Sequence, residues 1–262
     1  MGTRWSQNFL IDKNIARKCV ESLHLENTEA VLEIGAGRGV LTEILLKKAQ
    51  RIVAVEIDSA LCSYLQEKFG EDRNFTLLQK DFLKVSLNRN PVFQSDDFKI
   101  IGNLPYAVVS PILQKFLKWH RWTSAVVMVQ KEVGERILAA PGNKDYGILS
   151  VSVQSRCHIE KICLVSRHCF RPIPQVESLL LCLSPLAKPI FNQRKEREFF
   201  LVVRAGFAHR RKTLLNSLRR FTGLPVSSIK NALEKCGLSF TVRAEMLAPA
   251  DFKKLSEMLY NS

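Results

Sequence analysis

The sequence predicts an α/β fold: a doubly wound, mostly parallel sheet followed by a small helical domain. Three observations predict it. Short apolar runs alternate with helix-patterned stretches through the first half of the chain. A glycine-rich turn joins the first of these runs to a helix. Residues 188–262 lose the strand pattern and become basic and helical. Strands that alternate with helices imply parallel pairing, because each crossover lays a helix on a sheet face.

The first predicted strand is "AVLEI", Ala30 to Ile34, and glycines follow at 35, 37 and 39. "VLTEILLKKA" then sets Leu41, Ile44, Leu45 and Ala49 on one helical face. "RIVAVEID" is a second strand ending on Glu56, and "LCSYLQEKF" a second helix. "FTLLQKDFL" runs to Asp81, "FKIIGNLPY" carries the fourth strand, and "SAVVMVQ" the fifth. After "SPLAKPI" the pattern is helical, with a basic helix expected over 204–220. The expected boundary lies between residues 187 and 188, giving a catalytic domain 1–187 and a basic domain 188–262.

Composition narrows the class. Hydrophobic residues make up 46% of 262 and charged residues 24%, which suits a globular protein and excludes collagen, coiled coil and disorder. No apolar run is long enough to span a bilayer. "MGTRWSQNFL" lacks a secretory apolar core, so the expected location is the cytoplasm. The seven cysteines form no C-x-x-C pair, and the spacing of Cys157, Cys163 and Cys169 suits no zinc site. Reduced, mostly buried thiols and no metal are expected.

Net charge is +14 and unevenly spread. Residues 190–262 hold 14 Lys and Arg against 6 Asp and Glu, a net +8. Such an excess suits a polyanion, since each neutralised phosphate releases counterions.

Ligands of doubly wound sheets bind beyond the carboxyl ends of the strands. The glycine turn, Glu56, Asp81 and Asn103 all fall at such ends. The turn is tighter than a dinucleotide G-x-G-x-x-G, and no P-loop G-K-[ST] follows. A ligand without a pyrophosphate fits better, namely an adenosine with another tail, such as S-adenosylmethionine. Glu56 would accept from the ribose hydroxyls. Asp81 would accept from the adenine amino group, or simply cap the turn that follows it.

"IGNLPY", residues 101–106, then has a chemical reading. An exocyclic adenine nitrogen is a poor nucleophile because its lone pair is delocalised. Accepting hydrogen bonds from its N–H groups raises its electron density. Asn103 offers an amide oxygen, Leu104 a carbonyl beside Pro105, and Tyr106 a face for an extracted base.

These motifs together resemble the ribosomal RNA adenine N6,N6-dimethyltransferase family of the small subunit. "QNFLID", "VLEIGAGRGVLT", "VEID", "KDFL", "IGNLPY", "VQKEVGERI", "FRPIPQVES" and "RAGFAHRRKTLLNSL" match its successive motifs along most of the chain. Ser6 stands where the family usually has glycine. The resemblance implies a class I methyltransferase fold with a Rossmann-like sheet. It implies S-adenosylmethionine as cofactor and S-adenosylhomocysteine as product. Cofactor contacts are implied at Asn8, Leu10, Gly35, Ala36, Gly37, Glu56, Ile57, Asp81, Phe82 and Asn103. The target base is implied to sit on Asn103, Leu104, Pro105 and Tyr106, with Phe170 stacking opposite Tyr106 from a stiff, proline-rich loop. Arg204, Arg210, Arg211 and Lys212 are expected to meet RNA. The implied substrate is small-subunit RNA in an immature 30S particle, dimethylated on two adjacent adenosines near its 3′ end. A monomer with no membrane contact is expected. Three other readings stand beside this one: a drug-resistance dimethyltransferase of large-subunit RNA, a non-catalytic nucleic-acid-binding relative, and a DNA adenine methyltransferase. Leu104 and "RRKTLLNSL" favour the small-subunit enzyme over the first, which usually carries N-I-P-Y; intact motifs disfavour the second, and the short tail the third.

Overall fold

Ala30–Ile34 (β2) is buried at all five positions, as a strand covered on both faces must be. In the computed structural model, which describes residues 8–26, 28–191 and 193–260, it is the centre of a seven-stranded sheet. A short strand, Phe9–Leu10 (β1), and helix Lys13–Glu21 (α1) come first. The Asp12 side chain caps α1 by accepting from the N–H groups of Asn14 and Ile15. Ser6 and Gln7, the first residue of "QNFLID", lie outside the described residues.

After β2 come helix Val40–Leu45 (α2), strand Arg51–Glu56 (β3), helix Ser59–Phe69 (α3) and strand Phe75–Gln79 (β4). Strand Phe98–Asn103 (β5), helix Val109–Phe116 (α4) and strand Trp122–Gln130 (β6) follow. The chain continues through helices Lys131–Leu138 (α5) and Ile148–Gln154 (α6), then strands Cys157–Val165 (β7), Phe170–Arg171 (β8) and Ser178–Pro185 (β9). The sheet order is β4-β3-β2-β5-β6-β9-β7. β4, β3, β2, β5 and β6 are parallel, and β9 joins β6 antiparallel. The order reverses between β2 and β5, which opens a crevice at their carboxyl ends. The five strands expected from the sequence are therefore present and parallel.

The chain forms two compact units. One takes in the residues up to Gly134 together with His158–Pro185; the other comprises Glu135–Cys157 and the residues from Leu186 onward. The sequence reading placed one boundary at 187/188, close to the last of these crossings. It assigned 135–157 to the first domain, whereas in the structure this excursion packs with the C-terminal helices. Tyr146, fully buried, shows why: its hydroxyl donates to the Leu247 carbonyl at 2.9 Å.

The second unit contains helices Glu196–Phe207 (α7), Leu214–Thr222 (α8), Val226–Cys236 (α9) and Pro249–Tyr260 (α10). They close on Phe199, Val202, Leu218, Leu233 and Phe252, all fully buried. The single helix expected over 204–220 is two, α7 and α8, with a turn between them. Thr213 ends the turn by capping α8, accepting from the Asn216 N–H, a role for which a hydroxyl at a helix start is suited.

Candidate active site

The glycine turn leaves β2 with its backbone in the left-handed region at Gly35, Gly37 and Gly39. Two constraints act at Gly37. Its φ is +57°, and a Cβ there would stand 3.2 Å from the Phe9 ring. The turn is therefore as thin as a chain can be where it borders a cavity of about 310 Å³.

Glu56, the last residue of β3, forms the cavity's acidic edge and is 3% exposed. Its carboxylate accepts from three backbone N–H groups: Gly37 at 2.9 Å, Ile57 at 2.8 Å and Asp58 at 3.0 Å. These bonds tie the tip of β3 to the glycine turn and fix both oxygens. A carboxylate offers about four lone-pair directions, so acceptor capacity remains.

Asp81 follows β4 at the cavity wall. It caps a 3-10 turn, Phe82–Lys84, by accepting from the Leu83 N–H at 2.9 Å, and it also lines the cavity. Ile57, Phe82, Asn8, Gly35 and Gly37 line the same space, as do Leu104, Pro105 and Tyr106.

Asn103 ends β5 beside the turn. Its Nδ2 donates to the Asn8 carbonyl at 2.9 Å. Its Oδ1 is buried and has no hydrogen-bond partner among the described residues. An orphaned buried acceptor costs free energy unless a ligand supplies the donor. Leu104 gives its N–H to Met128 at 3.0 Å, and Tyr106 places its hydroxyl 3.4 Å from Ser178 Oγ.

Two residues stand elsewhere than expected. Phe170 does not line the cavity that Tyr106 lines. It is fully buried in a core cluster with Leu10, Val126, Met128 and Leu180, and the cavity wall does not include it. β8 pairs with β1, and strand alternation turns Phe170 inward while Arg171 faces out. The same alternation separates the neighbours within "NFL". Leu10 is 6% exposed and, with Gly35, Ala36, Gly37 and Asn103, borders a smaller recess of about 40 Å³. Phe9, to which the sequence reading gave no role, lines the main cavity under the Arg38 guanidinium, 4.8 Å from its ring centroid.

Leu83, Val108 and Ile112 are further wall residues that carry no sequence signal beyond being apolar near a motif. Glu33 is another residue the sequence reading passed over. It is 1% exposed, it accepts from Thr42 Oγ1 at 2.7 Å, and it borders the smaller recess. Burial pushes its carboxyl up to about 8.

All seven cysteines are free; Cys19, Cys62 and Cys157 are buried and the other four half-buried, fewer buried thiols than expected. No cluster suited to a metal ion occurs among the described residues, and no helix there is long and apolar enough to cross a membrane.

The family model for ribosomal RNA adenine dimethylase matches residues 1–260. The chain belongs to that family. Curated relatives agree. The ribosomal RNA small subunit methyltransferase A of Clostridium botulinum (strain Loch Maree / Type A3) is 40% identical, covering 97% of this chain and 92% of the relative. The protein of the same name from Clostridium acetobutylicum is 39% identical over 98% and 93%. Among solved structures, a dimethyladenosine transferase from Plasmodium falciparum superposes with a TM-score of 0.81 at 26% identity, covering 94% of this chain and 95% of that one. The 23S rRNA methyltransferase ErmE superposes at 0.72 and 26% identity, covering 96% and 99%.

Proposed function

We propose that this member of the dimethylase family is an S-adenosylmethionine-dependent methyltransferase that converts adenosines of small-subunit ribosomal RNA to N6,N6-dimethyladenosine. Its targets are two adjacent adenosines near the 3′ end, met in an immature 30S particle, and the enzyme works as a cytoplasmic monomer. The family and the 40% identical small-subunit relatives support the reaction and its substrate class.

The observation that carries the site assignment is Asn103: one end of its amide is held by Asn8, and the other is a buried acceptor with no partner. An adenine N6 amino group is the donor that fits it. S-adenosylmethionine supplies a methyl group on a sulfonium. The residues present suit it: a glycine turn that a Cβ would crowd, Glu56 with acceptor capacity for ribose hydroxyls, and Asp81 for the adenine amino group.

The residues then act as follows. Asn103 Oδ1 and the Leu104 carbonyl accept from the target N6–H groups, which localises the nitrogen lone pair. Tyr106 stacks on the extracted base. The apolar wall of Phe9, Ile34 and Leu104 excludes water from the reacting atoms. Arg204, Arg211 and Lys212, all exposed, meet RNA phosphates.

Mass spectrometry of ribosomal RNA from cells with and without this protein tests the assignment. Loss of dimethyladenosine from the small-subunit RNA is the expected result. Loss from large-subunit RNA instead would overturn it.

A further inference from the structure

Lys115 lies in α4, the helix that follows the Asn103–Tyr106 loop. Its side chain reaches the other end of the cavity. Nζ donates to the Leu83 carbonyl at 2.6 Å and stands 5.4 Å from the Phe82 ring centroid. Leu83 is thus held at both ends of its backbone, its N–H by Asp81 and its carbonyl by Lys115. Asp81, Phe82 and Leu83 are all cavity wall, as is Ile112, one turn before Lys115 on the same helix. Burial pushes the Lys115 ammonium down, the Asp81 charge acts against this, and Lys80 adds to it.

We infer that Lys115 is a positioning residue that sets the enzyme's selectivity for the 6-amino group of its nucleoside cofactor, an inference that rests on the cofactor reading of this cavity. The chemistry is one of acceptors. Asp81 spends one oxygen on the Leu83 N–H, and the other is the acceptor for a 6-amino group. A 6-oxo purine would set its own acceptor against that oxygen and be rejected. The discrimination depends on where the free oxygen stands, and this depends on the turn that Lys115 pins to α4. Without the ammonium, a part-buried carbonyl loses a charged donor and the turn relaxes.

The test compares S-adenosylhomocysteine with S-inosylhomocysteine, its 6-oxo counterpart, by calorimetry. Wild-type protein should strongly prefer the adenosyl compound. Lys115→Met should narrow that preference by about tenfold or more, chiefly by weakening the adenosyl compound. Lys115→Arg, which keeps donor and charge, should retain the preference. A purely structural lysine would weaken both compounds alike. If the Met variant does not fold, Lys115→Gln carries the same comparison. A folded Met or Gln variant with the wild-type preference overturns the proposal. Wild-type protein that binds neither compound removes the cofactor reading, and the proposal with it.

Discussion

In the proposed reaction Asn103 meets the target base through one amide. Because its free oxygen matters most as charge develops on N6, Asn103→Ala should lower single-turnover methyl transfer by about 100-fold or more. Dimethyladenosine counted on undermodified particles reads the rate, and a separate binding titration should show RNA affinity hardly changed. Glu33 makes a different prediction. Burial pushes its carboxyl up from the ordinary 4.5 to about 8 in the fold. The folded state therefore binds more protons than the unfolded state between these values. Stability from this group is full below about pH 4.5, falls as pH rises, and is lost above about pH 8. Glu33→Gln keeps an acceptor for Thr42 and should flatten that slope. Urea midpoints at about pH 5 and about pH 8 check it, and parallel slopes would refute the assignment. "VLEIG" showed Glu33 to be mid-strand. That it meets Thr42 rather than water depends on α2 folding over it, which periodicity alone does not reveal.

At the scale of elements, the turn between α7 and α8 divides residues that the sequence grouped. Arg210 donates to the carbonyls of Lys144 at 2.6 Å and Tyr146 at 3.1 Å, so it holds the 135–157 excursion. Arg211 and Lys212 are exposed. Arg210→Ala should cost roughly 1 kcal/mol of stability, seen in thermal unfolding, because two carbonyls lose a charged donor. Arg211→Ala and Lys212→Ala should leave the melting temperature unchanged, and each should lower the salt slope of RNA binding by about one unit. Equal behaviour of all three would return Arg210 to the RNA-facing set. The run "HRRK" signals charge, but which of its exposed cations also holds backbone carbonyls follows from where a distant segment passes. Likewise "NFL" signals a strand without saying which face is core; the pairing of β1 with β8 decides that Phe9 sees the cavity and Leu10 the interior.

For the whole molecule, the cavity couples ligand to stability. S-adenosylhomocysteine at 100 times its dissociation constant should add about 2.7 kcal/mol. Glu56→Ala should weaken binding by about 1–3 kcal/mol, since ribose hydroxyls and three backbone N–H groups lose their acceptor. At fixed ligand concentration its thermal shift should shrink accordingly. An equal shift in wild type and variant would take Glu56 out of the site. The charge of +14 acts at the same scale and makes RNA association fall steeply with salt.

By itself the sequence determined the parallel sheet, the crevice at its strand ends and the family. The sheet and crevice follow from local information, since buried strands read as apolar runs and turns demand glycine; the family follows from the resemblance of the motifs along the chain. Tertiary structure alone decided what each face meets. It buried Phe170 in the core, set Phe9 against the glycine turn, moved 135–157 to the second unit, and carried Lys115 to Leu83. The physical reason is that a side chain's direction is local, whereas its partner is brought by segments far along the chain. The Asn103–Asn8 bond joins residues 95 positions apart, and the Tyr146–Leu247 bond residues 101 apart.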